Sequence, residues 1–194
     1  MIKIHMGCGG QITGLIPGET DWINVDIQFD SQVFQDPRAL ELVNGYPRVM
    51  LADFRNPPFP DNFADLIYSH HSLEHININE VLPALQEWYR ILKNGGTVHI
   101  NVPDILWVAQ QLCLHNGDML WSEMGERTGN WKDGYTKLIH CIFGDQSHFY
   151  NLHRTGFTPF YLDQLLTDVG FCDLIIESVS DMGMKCIEAK GIKR

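Results

Sequence analysis

The stretch Lys3-Ile4-His5-Met6-Gly7-Cys8-Gly9-Gly10-Gln11 decides the fold, because a short apolar strand runs straight into a glycine turn. A second strand, Trp22 to Ile27, carries Asp26 near its end. Glycine tolerates positive φ and has no Cβ to clash, so such a turn lets the backbone approach a ligand closely. A carboxylate at the tip of the next strand can accept ribose hydroxyls. Together these features describe an adenosine-bearing cofactor held at the lip of a parallel sheet. The spacing narrows the choice further. A dinucleotide fingerprint, Gly-x-Gly-x-x-Gly, needs its third glycine where helix meets strand. Gly7 and Gly9 supply the first two, but Ile12 stands in the third place.

Outward from that turn the chain alternates between strand and helix signals. Further strands are expected at Arg48 to Ala52, Ala64 to Ser69 and Thr97 to Val102, with a short helix at Pro37 to Asn44. Pro57, Pro58 and Pro60 exclude regular structure between Arg55 and Asn62. The clearest helix of the first half follows, with Asn79 as its cap, Pro83 in its first turn and one stripe of Val81, Leu82, Leu85, Trp88 and Leu92. Gly95 and Gly96 are expected to stop it. Near the end, Thr158 is a good N-cap, Pro159 suits the first helical position and Gly170 closes the helix. Two closing strands, Leu174 to Ile176 and Cys186 to Ala189, pair across Asp181 to Gly183. This alternation implies a doubly wound α/β sheet with helices on both faces and its ligand beyond the carboxyl ends of the strands. Residues 1–194 read as a single domain, with a loop-rich insert at about 105–156 acting as a lid.

Composition excludes several functions. A formal charge of -10 and the lack of any basic run argue against a nucleic-acid surface. The five cysteines are scattered and form no Cys-x-x-Cys pair, so neither a disulfide framework nor a zinc ribbon is indicated. A strand beginning at Ile2 leaves no room for a signal peptide, and no apolar run spans a membrane. The expectation is a cytoplasmic protein; its oligomeric state is not written in the sequence.

The constellation resembles the class I S-adenosylmethionine-dependent methyltransferases, in their small type-11-like form. The matching elements are Met6-Gly-Cys-Gly-Gly10, Ile23-Asn-Val-Asp26, Ala52-Asp-Phe54, Pro58 to Ile67, Leu73-Glu-His75, Leu92-Lys-Asn-Gly-Gly96 and the Val-Gly-Phe that ends Thr158 to Phe171. The resemblance implies a Rossmann-like, mostly parallel sheet of seven strands whose last strand is antiparallel, and S-adenosyl-L-methionine as cofactor. It also implies roles. Met6, Gly7, Cys8, Gly9 and Gly10 would run under the methionine part, Asp26 with Ile27 would hold the ribose, Asp53 would face the adenine amino group with Phe54 against the ring, and His70 would border the methyl group. The chain departs from the family pattern at His5, where an acidic residue is usual, at Gln11, often glycine, and at Asn94, often proline.

Methyl transfer asks the protein mainly for placement and exclusion of water, and an oxygen acceptor also needs a base. His148 and His153 are the candidate bases, with Glu74, His75 and Tyr150 toward the substrate. Each of the two histidines also reads as an ordinary loop residue. His71-Ser-Leu-Glu-His75 spells the His-x-x-Glu-His of inverted zinc proteases, but the chain is small for those enzymes and lacks a downstream acidic helix, so coincidence is the better reading. Asp26 also suits the end of a strand in an Asx-turn and Asp53 the cap of the proline loop, and Cys8 reads as an inert packed thiol. Trp107, Trp121 and Trp131 fit either a stacking surface for a sugar or aromatic acceptor or the lid's own core. The sequence therefore points to methyl transfer onto a small-molecule or glycan-type acceptor. One alternative is a non-catalytic S-adenosylmethionine-binding regulatory module, favoured by His5 and Gln11. Another is a short-chain NAD(P)-dependent oxidoreductase, which expects glycine at position 12 and a Tyr-x-x-x-Lys pair.

Overall fold

A computed structural model describes residues 1–9, 21–27, 48–114, 138–146, 149–181 and 184–194. The expected helix at Pro37 to Asn44, and Gly10, Gln11, Ile12, Trp121, Trp131 and His148, lie outside the described residues. The strands are β1 (Lys3–Met6), β2 (Trp22–Asp26), β3 (Arg48–Leu51), β4 (Ala64–His70), β5 (Leu92–Pro103), β6 (Cys172–Asp181) and β7 (Met184–Ile192). They form one seven-stranded sheet in the order β3-β2-β1-β4-β5-β7-β6. Pairs among β1 to β5 are parallel, and β7 runs antiparallel between β5 and β6. This is the Rossmann-like sheet with an antiparallel last strand. Its register brings Met6 beside Val25 and Ser69. The ends of β1, β2 and β4 therefore open on one edge.

Helix α1 (Ile78–Ile91) packs Val81, Ala84, Leu85, Trp88 and Ile91 on the sheet. Full burial of each large apolar side chain contributes roughly 1.5–3 kcal/mol. Its cap is Asn77, not Asn79: the Asn77 N–H donates to Glu80 Oε2 at 2.9 Å, the return arm of a capping box. Pro83 therefore falls beyond the first turn. Gly95 and Gly96 do not end α1 either. Leu92 is already extended and enters β5, so this strand starts earlier than Thr97 and Leu92 leaves the helical stripe. Instead, Asn62 N and Phe63 N donate to Arg90 O and Ile91 O at 3.0 and 2.7 Å, satisfying carbonyls that the helix leaves open, and Lys193 Nζ adds bonds to Leu92 O at 2.7 Å and Arg90 O at 3.3 Å.

The described part of the insert contains helix. It opens with α2 (Ile105–Leu114), residues 138–143 are helical, and Phe149–Asn151 make one 3-10 turn. Val108, Leu138 and Cys141 form a small apolar cluster of their own, with Trp107 packed against it. Helix α3 (Pro159–Val169) matches its expected limits, with Thr158 Oγ1 accepting from Tyr161 N at 3.1 Å and Gly170 at φ 108°. The closing strands β6 and β7 are longer than expected, because alternating polar residues continue the pairing to Asp181↔Met184. Among the described residues, no helix is long and apolar enough to cross a membrane.

Candidate active site

The first half of the site is a turn made of backbone. Gly7 N and Cys8 N both donate to Val25 O, at 2.8 and 3.1 Å, so the chain leaves β1 folded against β2. Gly7 has φ +67°, and a Cβ there would lie 2.6 Å from Ser72 Cβ. Only glycine fits. Gly9 has φ +49°, and a Cβ there would meet nothing within 4 Å among the described residues. Asp26 Oδ2 accepts the Gly9 N–H at 2.7 Å, holding the turn to the tip of β2. Beside it Ile27 is 37% exposed at the rim. Met6 is wholly buried behind the turn. Cys8 is buried too, and burial, with the Asp26 charge, pushes its thiol far up, so it stays protonated and inert.

Ser72 supports this turn and was not singled out from sequence. Its hydroxyl lies 2.9 Å from Gly7 O and 3.1 Å from both Met6 O and His70 O, tying the ends of β1 and β4 together. No local pattern announces a contact across so many residues. His5, the departure from the family pattern, is buried in the sheet with its ring 4.9 Å from that of Tyr68.

Beyond β3, Asp53 is gripped by Arg55, which donates Nε to both carboxylate oxygens at 3.0 and 2.9 Å and reaches Glu80 with its other arm. Burial would raise the Asp53 carboxyl, but the Arg55 hydrogen bonds and charge outweigh it and hold it below its ordinary value. Phe54 does not present a free face. It is buried, with its ring 6.1 Å from Trp88, whose Nε1 donates to Phe54 O at 2.8 Å.

The second half is made of side chains. His70, the last residue of β4, has Nε2 2.5 Å from Asp181 Oδ2 at the end of β6. Its Nδ1 has no hydrogen-bond partner among the described residues. Glu74, on the 3-10 turn Leu73–His75, is buried, and His71 Nδ1 lies 3.2 Å from its Oε1. Burial would raise the Glu74 carboxyl, but the contact with His71, helped by the neighbouring imidazoles, outweighs it and holds the carboxyl below its ordinary value. The His75 and His153 rings meet edge to face at 4.9 Å. Burial lowers the His153 imidazole despite Glu74, favouring the neutral ring. Of the residues expected to meet substrate, Glu74 and His75 are thus brought together with His153. Tyr150 stands 47% exposed on its own turn, against the edge of Phe149. Glu74 and His75 do not cap α1, which Asn77 and Glu80 close.

Residues 4–100, half of the 194-residue chain, match the methyltransferase domain family. The chain belongs to the class I S-adenosylmethionine-dependent methyltransferases. It is an enzyme of that class, and its cofactor is S-adenosyl-L-methionine. Solved structures share the fold of this methyltransferase. One is a SAM-dependent methyltransferase from Methanosarcina mazei, with TM-score 0.65 and 17% identity over 98% of this chain and 91% of that one. Another is the Burkholderia thailandensis 1,6-didemethyltoxoflavin-N1-methyltransferase with bound 1,6-didemethyltoxoflavin and S-adenosylhomocysteine, with TM-score 0.63 and 14% identity over 99% and 70%. A third, a SAM-dependent methyltransferase from Archaeoglobus fulgidus, has TM-score 0.58 and 15% identity over 98% and 85%. No curated protein matches the chain. The methyltransferase does carry the spacing Tyr89-x-x-x-Lys93. It lies where α1 ends and β5 begins, with Tyr89 against Phe171 and Lys93 paired to Asp65, on the opposite edge of the sheet from the glycine turn. An oxidoreductase reading has no support there.

Proposed function

We propose that this methyltransferase moves the methyl group of S-adenosylmethionine to a small-molecule acceptor, with a glycan-type hydroxyl as the finer reading. Met6, Gly7, Cys8, Gly9 and Gly10 would run beneath the methionine, Asp26 and Ile27 at the ribose and Asp53 at the adenine, with Phe54 as buried support rather than as a stacking face. The observation that carries the reading is the approach of Asp26 to Gly9, which fixes an open glycine turn against the tip of the neighbouring strand.

His70 suits the base for a hydroxyl acceptor. Its bond to Asp181 orients the ring, and its Nδ1, buried and without a partner among the described residues, would take the proton of an acceptor that reaches it. His153 is drawn away toward Glu74 and His75, and His148 remains a candidate by sequence only. Transfer itself forms the acceptor–methyl bond as the sulfur–methyl bond breaks, releasing S-adenosylhomocysteine. Incubation with methyl-labelled S-adenosylmethionine and a panel of sugars, phenols and amines tests this. Label in one acceptor class supports it. Binding of cofactor with no label in any class favours the regulatory-module reading, for which His5 in the usual acidic position is the specific observation.

A further inference from the structure

The His71-Ser-Leu-Glu-His75 stretch gains a third partner once the chain is folded. One donor atom each from Glu74, His75 and His153 lies within 4.8 Å of the other two. Donor atoms around one zinc ion at 2.0–2.1 Å stand about 3.4 Å apart in a tetrahedron, so a small contraction closes the set. The pattern differs from that of a protease helix. The turn is 3-10, so His71 and His75 do not share a helical face, and the second imidazole comes from the far side of the insert.

The outer shell fits a metal site as well. His75 Nδ1 is 3.3 Å from Leu152 O, and His153 Nδ1 is 3.0 Å from Cys141 O. Backbone carbonyls accept only from N–H, so both rings carry their proton on Nδ1 and present the Nε2 lone pair. Metal-binding histidines are oriented in this way. Glu74 adds a geometric sign. Its side chain is 2% exposed, and neither carboxylate oxygen meets a described donor in hydrogen-bond geometry, although His71 Nδ1 stands 3.2 Å from Oε1 as an ion-pair partner. That leaves buried carboxylate lone pairs free to meet a cation.

The frame around these groups is rigid. Arg154 N and Thr155 N both donate to Glu74 O, at 2.7 and 3.1 Å, and Thr155 Oγ1 donates to Ile76 O at 2.7 Å. His153 N donates to Phe143 O at 3.1 Å. These bonds zip residues 154 and 155 onto residues 74–76, and tie His153 to Phe143, independently of any ion.

We propose that Glu74, His75 and His153 form a binding site for one divalent transition-metal ion of the zinc type. Two imidazoles and one carboxylate form a borderline-soft set that suits zinc over magnesium or calcium. Three protein ligands leave a coordination position open, as in catalytic zinc sites, where an acceptor oxygen can be held. That role for the open position rests on the methyl-transfer reading, whereas metal binding itself does not. The neighbouring group of His70, His71 and Asp181 also gathers three donors, but Asp181 Oδ2 is already committed to His70 Nε2.

The test uses the full chain, stripped with chelator and titrated with zinc alone against a chromogenic competitor. One zinc per chain is expected. His75→Ala and His153→Ala should each weaken binding by more than the roughly 100-fold that loss of an outer-shell partner can cause, while Asp181→Ala stays within about threefold of the parent. Circular dichroism of each variant separates lost ligands from lost folding, and His153→Ala lies in a loop where folding is least at risk. Zinc binding no tighter in the parent than in a folded His153→Ala chain overturns the proposal. So does binding abolished by Asp181→Ala alone, which would assign the ion to the neighbouring group. Because the readout is metal, failure here leaves cofactor binding and methyl transfer untouched.

Discussion

At the β1–β2 end of the sheet the site is built from backbone: Gly7 and Cys8 fold onto Val25, and Asp26 receives Gly9, all within one strand-turn-strand unit. At the β4–β6 end it is built from side chains that arrive from distant parts of the chain, with His70 on Asp181 and Glu74 beside His153. On the proposed assignment the first region would hold the cofactor, a ligand common to a whole family, so its geometry can be fixed by chain direction and glycine. The second would recognise the acceptor and handle its proton, which calls for oriented imidazoles and carboxylates in a dry place. Cofactor and acceptor halves should therefore respond separately to substitution.

The largest separate effect is expected from Asp181→Asn. An amide is a poorer partner for a charged imidazole, so kcat should fall on the order of 100-fold, while the S-adenosylmethionine Kd measured by calorimetry stays constant. A matching loss in Kd would erase the distinction between the halves. On the cofactor side, Gly7→Ala should lower stability by about 1–3 kcal/mol through its strained φ, with further loss from the collision with Ser72, and should weaken the cofactor. Gly9→Ala meets nothing among the described residues and should cost only about 1–2 kcal/mol. Thermal unfolding of both variants checks the order, and equal losses would contradict the packing described for Gly7.

Legibility in the sequence follows the same division. The glycine turn and Asp26 could be read because their determinants are local. The α3 cap and stop were equally local, in Thr158, Pro159 and Gly170. The α1 cap was legible but misread: Asn77 and Asn79 both qualify, and Glu80 three residues after Asn77 is the deciding signal. The end of α1 was not legible, since its carbonyls are met by Asn62, Phe63 and Lys193, which come from other parts of the chain. Nor was the Glu74–His75–His153 group, which exists only because Arg154 and Thr155 bond to Glu74 O across the fold. Histidine-rich composition marked the insert as functional, but composition carries no distances.

Two smaller effects sharpen the comparison. Ser72→Ala removes the hydroxyl that joins the two halves and should reduce stability by about 1 kcal/mol, read by chemical unfolding, with a modest weakening of cofactor. No change in either would mean the glycine turn holds without its brace. Arg55→Ala should act through pH. Asp53 is depressed in the folded chain, so its contribution is present above the unfolded value near 3.8 and is lost as pH falls through the folded value. Without Arg55 the folded value rises, and the acid-unfolding midpoint should move to higher pH. An unchanged midpoint would show that the ion pair is only a surface contact.

Calorimetric titration with S-adenosylmethionine and S-adenosylhomocysteine, with NAD as control, against the parent chain and Asp26→Ala tests the central claim most directly. Micromolar binding of both sulfur nucleotides, no binding of NAD, and loss of affinity in a folded Asp26→Ala chain are the predicted results. Undiminished affinity in Asp26→Ala, or preference for NAD, would contradict the account.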